Sequence, residues 1–229
     1  MKPFYVTDSA KRLAGVYPPS EVVGEALKRI TREEKFGFMR LWLAEGIPFA
    51  FSGLPMIYEA VRDYVGRRLG VPATAITLIG SGRIGYSMSP LPAFGRPFGK
   101  HSDLDLNIIE QQLFSKLEKD YRTWKDDVDT GAVKPRNASE ARHWPENIRV
   151  LRINLAMGFV DPYMIPSYFK YGTAQMIGQT AWLVLSRMKI TSGAPDVRRV
   201  SVRVYRDWNS FSSRMELNLH HTLRSLVRR

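Results

Sequence analysis

The stretch between Gly80 and Asp103 constrains the fold more than any other, because Pro90, Pro92, Pro97 and four glycines leave it no room to run as a helix. Residues 75–79, Ala-Ile-Thr-Leu-Ile, are β-prone and end at Gly80, and residues 104–109 form a second short β-prone run. Two strands are therefore joined by a long irregular excursion, not by the crossover helix of a regular βαβ unit. Around this centre the chain reads as mostly helical. Residues 20–45 read as helix with Ser20 as a candidate N-cap, and Gly46-Ile47-Pro48 breaks the pattern. Pro55 suits the first turn of a helix that runs to about Leu69 and closes at Gly70.

Further along, residues 110–129 read as an exposed, charged helix. Pro135 and Pro145 point to a loop over 130–147, and residues 148–160 fit strand or helix equally. Residues 168–188 have helical length despite Gly172 and Gly178. Val200, Val202 and Val204 alternate with Ser201, Arg203 and Tyr205, the pattern of a half-buried strand. A basic helix is expected over 210–228. Separated strands among helices argue for an α+β fold. The expected division is a helical N-terminal extension over residues 1–70 packed on a core over 71–229, the two forming one unit. At 229 residues and 44% hydrophobic composition, a buried core is well within reach.

The charge balance is basic, +12 from 34 Lys+Arg against 22 Asp+Glu, which favours polyanionic partners such as nucleotide phosphates or nucleic acid. The basic residues are scattered, so charge alone does not make the chain a nucleic-acid binder. With no cysteine, disulfides, thiolate metal sites and a Cys nucleophile are excluded. The longest apolar runs are too short to span a bilayer, and residues 1–8 lack the apolar stretch of a signal peptide. The expectation is a cytoplasmic protein with no membrane partner.

Residues 80–85, Gly-Ser-Gly-Arg-Ile-Gly, match the dinucleotide-binding fingerprint G-x-G-x-x-G after a strand. That fingerprint needs its glycines to open a helix whose N-terminus holds the pyrophosphate. Here residues 86–90 lead straight into the proline-rich segment. The acidic residue of that motif also belongs at a strand's end, whereas Asp103 and Asp105 begin one. The same residues serve another chemistry better. In Asp103-Leu104-Asp105 the carboxylates lie two apart on a strand and project from one face, with Cα atoms ~6–7 Å apart. Such a pair can share a hard cation that prefers oxygen ligands, water and phosphate. Gly80 permits a tight turn, from which the Ser81 hydroxyl and backbone N–H groups can reach phosphate oxygens.

Strand, Gly-Ser, loop and Ser-Asp-Leu-Asp-Leu together resemble the signature of DNA polymerase β-like nucleotidyltransferases. The resemblance implies that Gly80 and Ser81 grip a triphosphate while Asp103 and Asp105 bind Mg²⁺ or Mn²⁺. The implied reaction is attack of a hydroxyl on the α-phosphorus of an NTP, with pyrophosphate leaving. The longer run, with Phe98-Gly-Lys-His-Ser-Asp103, also looks like bacterial nucleotidyltransferase-like proteins, some of them linked to phage defence. One departure stands out. About ten residues usually separate Gly-Ser from the first Asp, against 21 between Ser81 and Asp103 here. The added length in 86–100 reads as a mobile lid, or else as a remodelled pocket.

The family carries a third acid on a neighbouring strand. Asp161 is the first choice for this catalytic and metal-binding role, and Asp207 the second, although each also suits a turn or a helix cap. Arg83, just past the turn, is placed to pair with a phosphate, and Lys100 and His101 stand close to the Asp pair in sequence. Trp124, Trp182, Trp208 and Phe211 fall at spacings expected of core residues. Two functions remain open: an NTP-dependent transferase whose acceptor is a nucleotide, RNA or protein, and a catalytically silent nucleotide sensor or antitoxin-like module. Oligomeric state is open too.

Overall fold

The computed structural model describes residues 4–227, and they form an α+β fold: a small mixed four-stranded sheet flanked by helices. In chain order the elements are α1 (Asp8–Lys11), α2 (Ser20–Leu27), α3 (Arg32–Leu43), α4 (Pro55–Leu69), β1 (Ile76–Ile79), α5 (Ser81–Ile84), β2 (Asp103–Ile109), α6 (Gln111–Asp129), α7 (Ala138–Ala156), β3 (Phe159–Val160), α8 (Gly172–Ile190), β4 (Arg199–Tyr205) and α9 (Trp208–Val227). Arg228, which the sequence reading includes in the last helix, lies outside the described residues. No helix among the described residues is long and apolar enough to cross a membrane.

Local chemistry accounts for most of the boundaries. Pro55 starts α4 and Gly70 closes it in the left-handed conformation, φ +68°. The single helix expected over 20–45 is two helices. Thr31 and Glu34 form a reciprocal capping box that starts α3 afresh, so the chain turns where helix formers alone predicted continuity. The loop expected over 130–147 is found only over 130–137: α7 begins after the Asn137 cap and runs through Pro145. A proline there removes one backbone hydrogen bond, at about 3 kcal/mol. Burial of Trp144 offsets it, edge-on to Trp124 at 5.6 Å and to Tyr168 at 6.1 Å.

The sheet order is β1-β2-β4-β3, with β1 antiparallel to β2, β2 parallel to β4, and β3 antiparallel to β4. Its two faces divide the molecule. Even-numbered positions, Leu78, Leu104, Leu106, Ile108, Val200, Val202 and Val204, enter a core shared with α4, α6, α7 and α8. Odd-numbered positions face the other way. At one end of that second face Ile109, Phe159 and Tyr205 pack with α2, α3 and α9 around Phe38, Phe211 and Met215. The other end is polar. Of the aromatics expected in the core, Trp124 and Phe211 are buried, whereas Trp182 and Trp208 are exposed.

Candidate active site

The polar end of the odd face carries Asp103 and Asp105 on β2, with Arg199, Ser201 and Arg203 beside them on β4. Both carboxylates open into one cleft of about 670 Å³ together with Gly80 and Ser81, so the structure brings together the four residues singled out by the motif. The joining step is strand register: Ile79, the last residue of β1, pairs with Asp105, which seats the Gly80 turn against the Asp105 carboxylate.

Gly80 is irreplaceable for two independent reasons. Its backbone, φ +70° and ψ −154°, lies in a region open essentially to glycine alone. A Cβ there would also come within 3.0 Å of Asp105 Oδ2. Gly80→Ala should therefore cost about 1–3 kcal/mol in a denaturant melt and push the Asp105 carboxylate out of place. Unchanged melting of Gly80→Ala would show that the turn tolerates a side chain.

The two carboxylates differ in their surroundings. Asp105 accepts from Ser201 Oγ at 2.6 Å. Burial is the main influence on its carboxyl and raises it; the nearby Asp103 charge acts in the same direction, against Ser201, Arg203 and Arg199. Asp103 takes two bonds from Arg198 (3.0 and 3.2 Å) and one from Arg199 at 2.7 Å. Burial pulls it upward, but the two guanidinium groups together hold it below its ordinary value. The cleft is otherwise cationic, since Arg96, Arg198, Arg203 and Arg214 all line it.

Three expected residues stand elsewhere. Arg83 does not line the cleft; it is buried, and donates through Nη1 to Ile47 O at 2.6 Å and through Nη2 to Leu41 O at 3.1 Å. It is a strut that ties α5 to the last turn of α3 and to the segment that follows it. Asp161 sits just past β3, one strand beyond β4, with its carboxylate buried and bound by Arg203, and it does not line the cleft. Among the described residues, no three acidic or histidine side chains come together as a metal-binding group. Asp207 caps α9: hydrogen bonding from the Ser210 N–H, with help from Arg206, holds its carboxyl at about 2. His101 lines the cleft and Lys100 does not.

The excursion over 86–100 does form a wall of the cleft, through Ser87–Pro90 and Arg96, and it is hydrogen-bonded at several points. Backbone bonds join Ser87 to Arg96 and Gly95 and tie Phe98 to Gly85. Met88 O accepts from Thr222 at 2.5 Å, Leu91 N donates to Ser225 at 3.1 Å, and Tyr86 donates to Pro18 O at 3.0 Å. Phe94 packs beside Gly24 and Tyr86, and Phe98 beside Gly82 and Phe49, so neither covers the cleft.

Sequence reasoning missed the helix opposite. On α9, Arg214, Asn218, His221 and Thr222 line the cleft, and their spacing of three and four residues marks one helical face that was open to inspection. Comparison of the chain with family models, with curated proteins and with solved structures finds no match in any of the three.

Proposed function

We propose that the chain is a metal-dependent nucleotidyltransferase of the polymerase β-like type, moving an NMP from an NTP to a hydroxyl acceptor with release of pyrophosphate. One observation carries this reading: the Asp105 carboxylate sits against the Gly80–Ser81 turn, with Asp103 two residues along the same face of the same cleft. A turn that can hold phosphate oxygens next to two carboxylates that can share a cation is the arrangement that triphosphate chemistry requires. A cleft of about 670 Å³ is of the size that takes a nucleotide, and its arginines match a polyanion.

Asp103 and Asp105 fit one Mg²⁺ or Mn²⁺ completed by water and phosphate oxygens. When bound, that cation supplies charge neutralisation for the triphosphate and for the attacking oxygen. The chain's own groups do the rest. Ser81 orients the terminal phosphates, and Arg96, Arg198 and Arg214 attract and hold the anion. In the reaction the acceptor oxygen bonds to the α-phosphorus as the bond to pyrophosphate breaks, and the hydroxyl proton leaves to water.

A second reading, a nucleotide-binding module without turnover, is favoured by a different observation: Arg198 and Arg199 occupy both oxygens of Asp103. One experiment separates the two. The four α-labelled NTPs are incubated with Mg²⁺ or Mn²⁺, with and without RNA or protein acceptors, while binding of the corresponding α,β-methylene analogues is measured in parallel. Pyrophosphate release that Asp103→Ala abolishes supports the transferase. Tight binding without release supports the silent module. Absence of both removes the nucleotide from the site.

A further inference from the structure

We propose that Arg203 is a fixed phosphate-binding cation standing where a second metal would otherwise be held, so that the site works with one divalent ion. The inference rests on the nucleotide reading above and names the group that completes it.

β4 is the parallel neighbour of β2, and register sets Arg199, Ser201 and Arg203 beside Asp103, Asp105 and Asn107. These are the positions from which an acid on the adjacent strand could join the Asp pair in holding a second cation. None of the three is acidic, and the described residues offer no third acidic or histidine ligand in reach. What β4 supplies is a guanidinium.

Arg203 is not a loose surface side chain. Asp161 engages its Nε at 2.7 Å and its Nη2 at 3.1 Å, a two-point grip that sets the plane of the group. The Phe159 ring lies 5.0 Å from its guanidinium carbon and supports it from one face. Asp161 is buried outside the cleft, whereas Arg203 reaches the cleft wall. The pair thus points its cationic end at the site and keeps its anionic end behind. Asp161 takes the Nε/Nη2 edge, and Nη1 is the donor it does not engage. The side chain stays charged at any accessible pH. A positive group held in position before the substrate arrives stabilises developing phosphate charge without reorganising, which is what a second metal contributes elsewhere.

This arrangement explains why Asp161, the acid that the sequence recommends as a metal ligand, is bound to an arginine. It is a positioning residue for Arg203. The odd face therefore runs, from β2 outward, as carboxylate, cation, carboxylate, with the cation supplied by the chain.

The test is a count of metal. The full chain is saturated with each α,β-methylene ribonucleoside triphosphate in turn and titrated with Mn²⁺, and bound ion is read by electron paramagnetic resonance. One Mn²⁺ per nucleotide-bound chain is expected, and two would overturn the proposal. Arg203→Met should weaken the triphosphate analogue about 10²-fold and leave the free nucleoside unaffected, with the ion count still one. Arg203→Lys should recover part of the loss. If Arg203→Met fails to fold because it strands the buried Asp161, the Asp161→Asn/Arg203→Met double variant removes both charges and is expected to show the same phosphate-dependent loss. Unchanged triphosphate affinity in either variant overturns the role. Failure of the wild-type chain to bind any analogue with Mn²⁺ overturns the nucleotide reading as well, whereas binding with two ions overturns the role of Arg203 alone.

Discussion

Asp105→Asn should stop NTP turnover, by roughly 10³-fold, while making the free protein more stable at neutral pH. If Asp105 holds the cation as proposed, the loss follows from replacing its charged carboxylate, which sits against the Gly80 turn, with a neutral amide. The gain follows from the environment of the carboxyl. Burial first, and the Asp103 charge second, raise it above its ordinary value despite the hydrogen bond from Ser201. A carboxyl raised by folding contributes stability that is full below its unfolded value, about 3.9, and that is lost as pH rises through the folded value. At pH 7 the ionised form is therefore a burden. Asparagine carries no charge to desolvate, and its oxygen still accepts from Ser201. Relief of such functional strain contributes about 0.5–2 kcal/mol, or ~2–6 °C of melting temperature in a chain of this size. Calorimetry at pH 7 and near pH 4 checks the sign: the variant should lead at pH 7, and the two should converge near pH 4. Equal melting at pH 7 would show that Asp105 is not strained. Turnover retained by the folded variant would exclude Asp105 from the chemistry.

How far the site could be read from the sequence follows from the range of the signals. The parity of Asp103 and Asp105, the Gly80 turn, the bounds of α4 and the valine face of β4 are local features, set by spacing within a few residues. Each was legible. The partner of Asp161 was not, because it depends on β4 lying between β2 and β3, an order fixed by pairings some 40–100 residues apart. From spacing alone, Asp161 after an apolar run looks like a metal acid; only the sheet order puts Arg203 between it and the Asp pair. Arg83 was misread for a related reason. Its sequence position beside the turn suggests phosphate, but the carbonyls of Leu41 and Ile47 claim it from a segment some 40 residues earlier. The contacts of the excursion were hidden for the same reason: Thr222 and Ser225, which hydrogen-bond to it, lie on α9, more than 130 residues away in sequence. Proline at 145 misled differently, because a helix penalty of a few kcal/mol is overridden by tertiary burial that no local rule sees.

Leu106→Ala, one residue from Asp105, should do the reverse of Asp105→Asn: unfold the protein readily and leave the chemistry alone. Leu106 is 1% exposed and points into the even-face core, paired across the sheet with Leu78 on one side and Val202 on the other. Truncating a buried leucine removes its transfer free energy and leaves a cavity that rigid neighbours only partly fill, at about 2–5 kcal/mol. For a chain of this size that is roughly 5–15 °C of melting temperature. Leu106→Met, which conserves volume, should cost less than about 1.5 kcal/mol. Neither change touches the odd face, because successive side chains on a strand point to opposite sides. Nucleotide affinity measured at 10 °C, where the alanine variant is still folded, should match that of the parent. On the proposed reading the strand carries two separable jobs in alternate residues, stability on Leu104, Leu106 and Ile108, which are buried, and binding on Asp103 and Asp105, which line the cleft. A folded Leu106→Ala protein that has lost its nucleotide affinity would show that the core holds the carboxylates in register directly, and that the two faces of β2 cannot be treated apart.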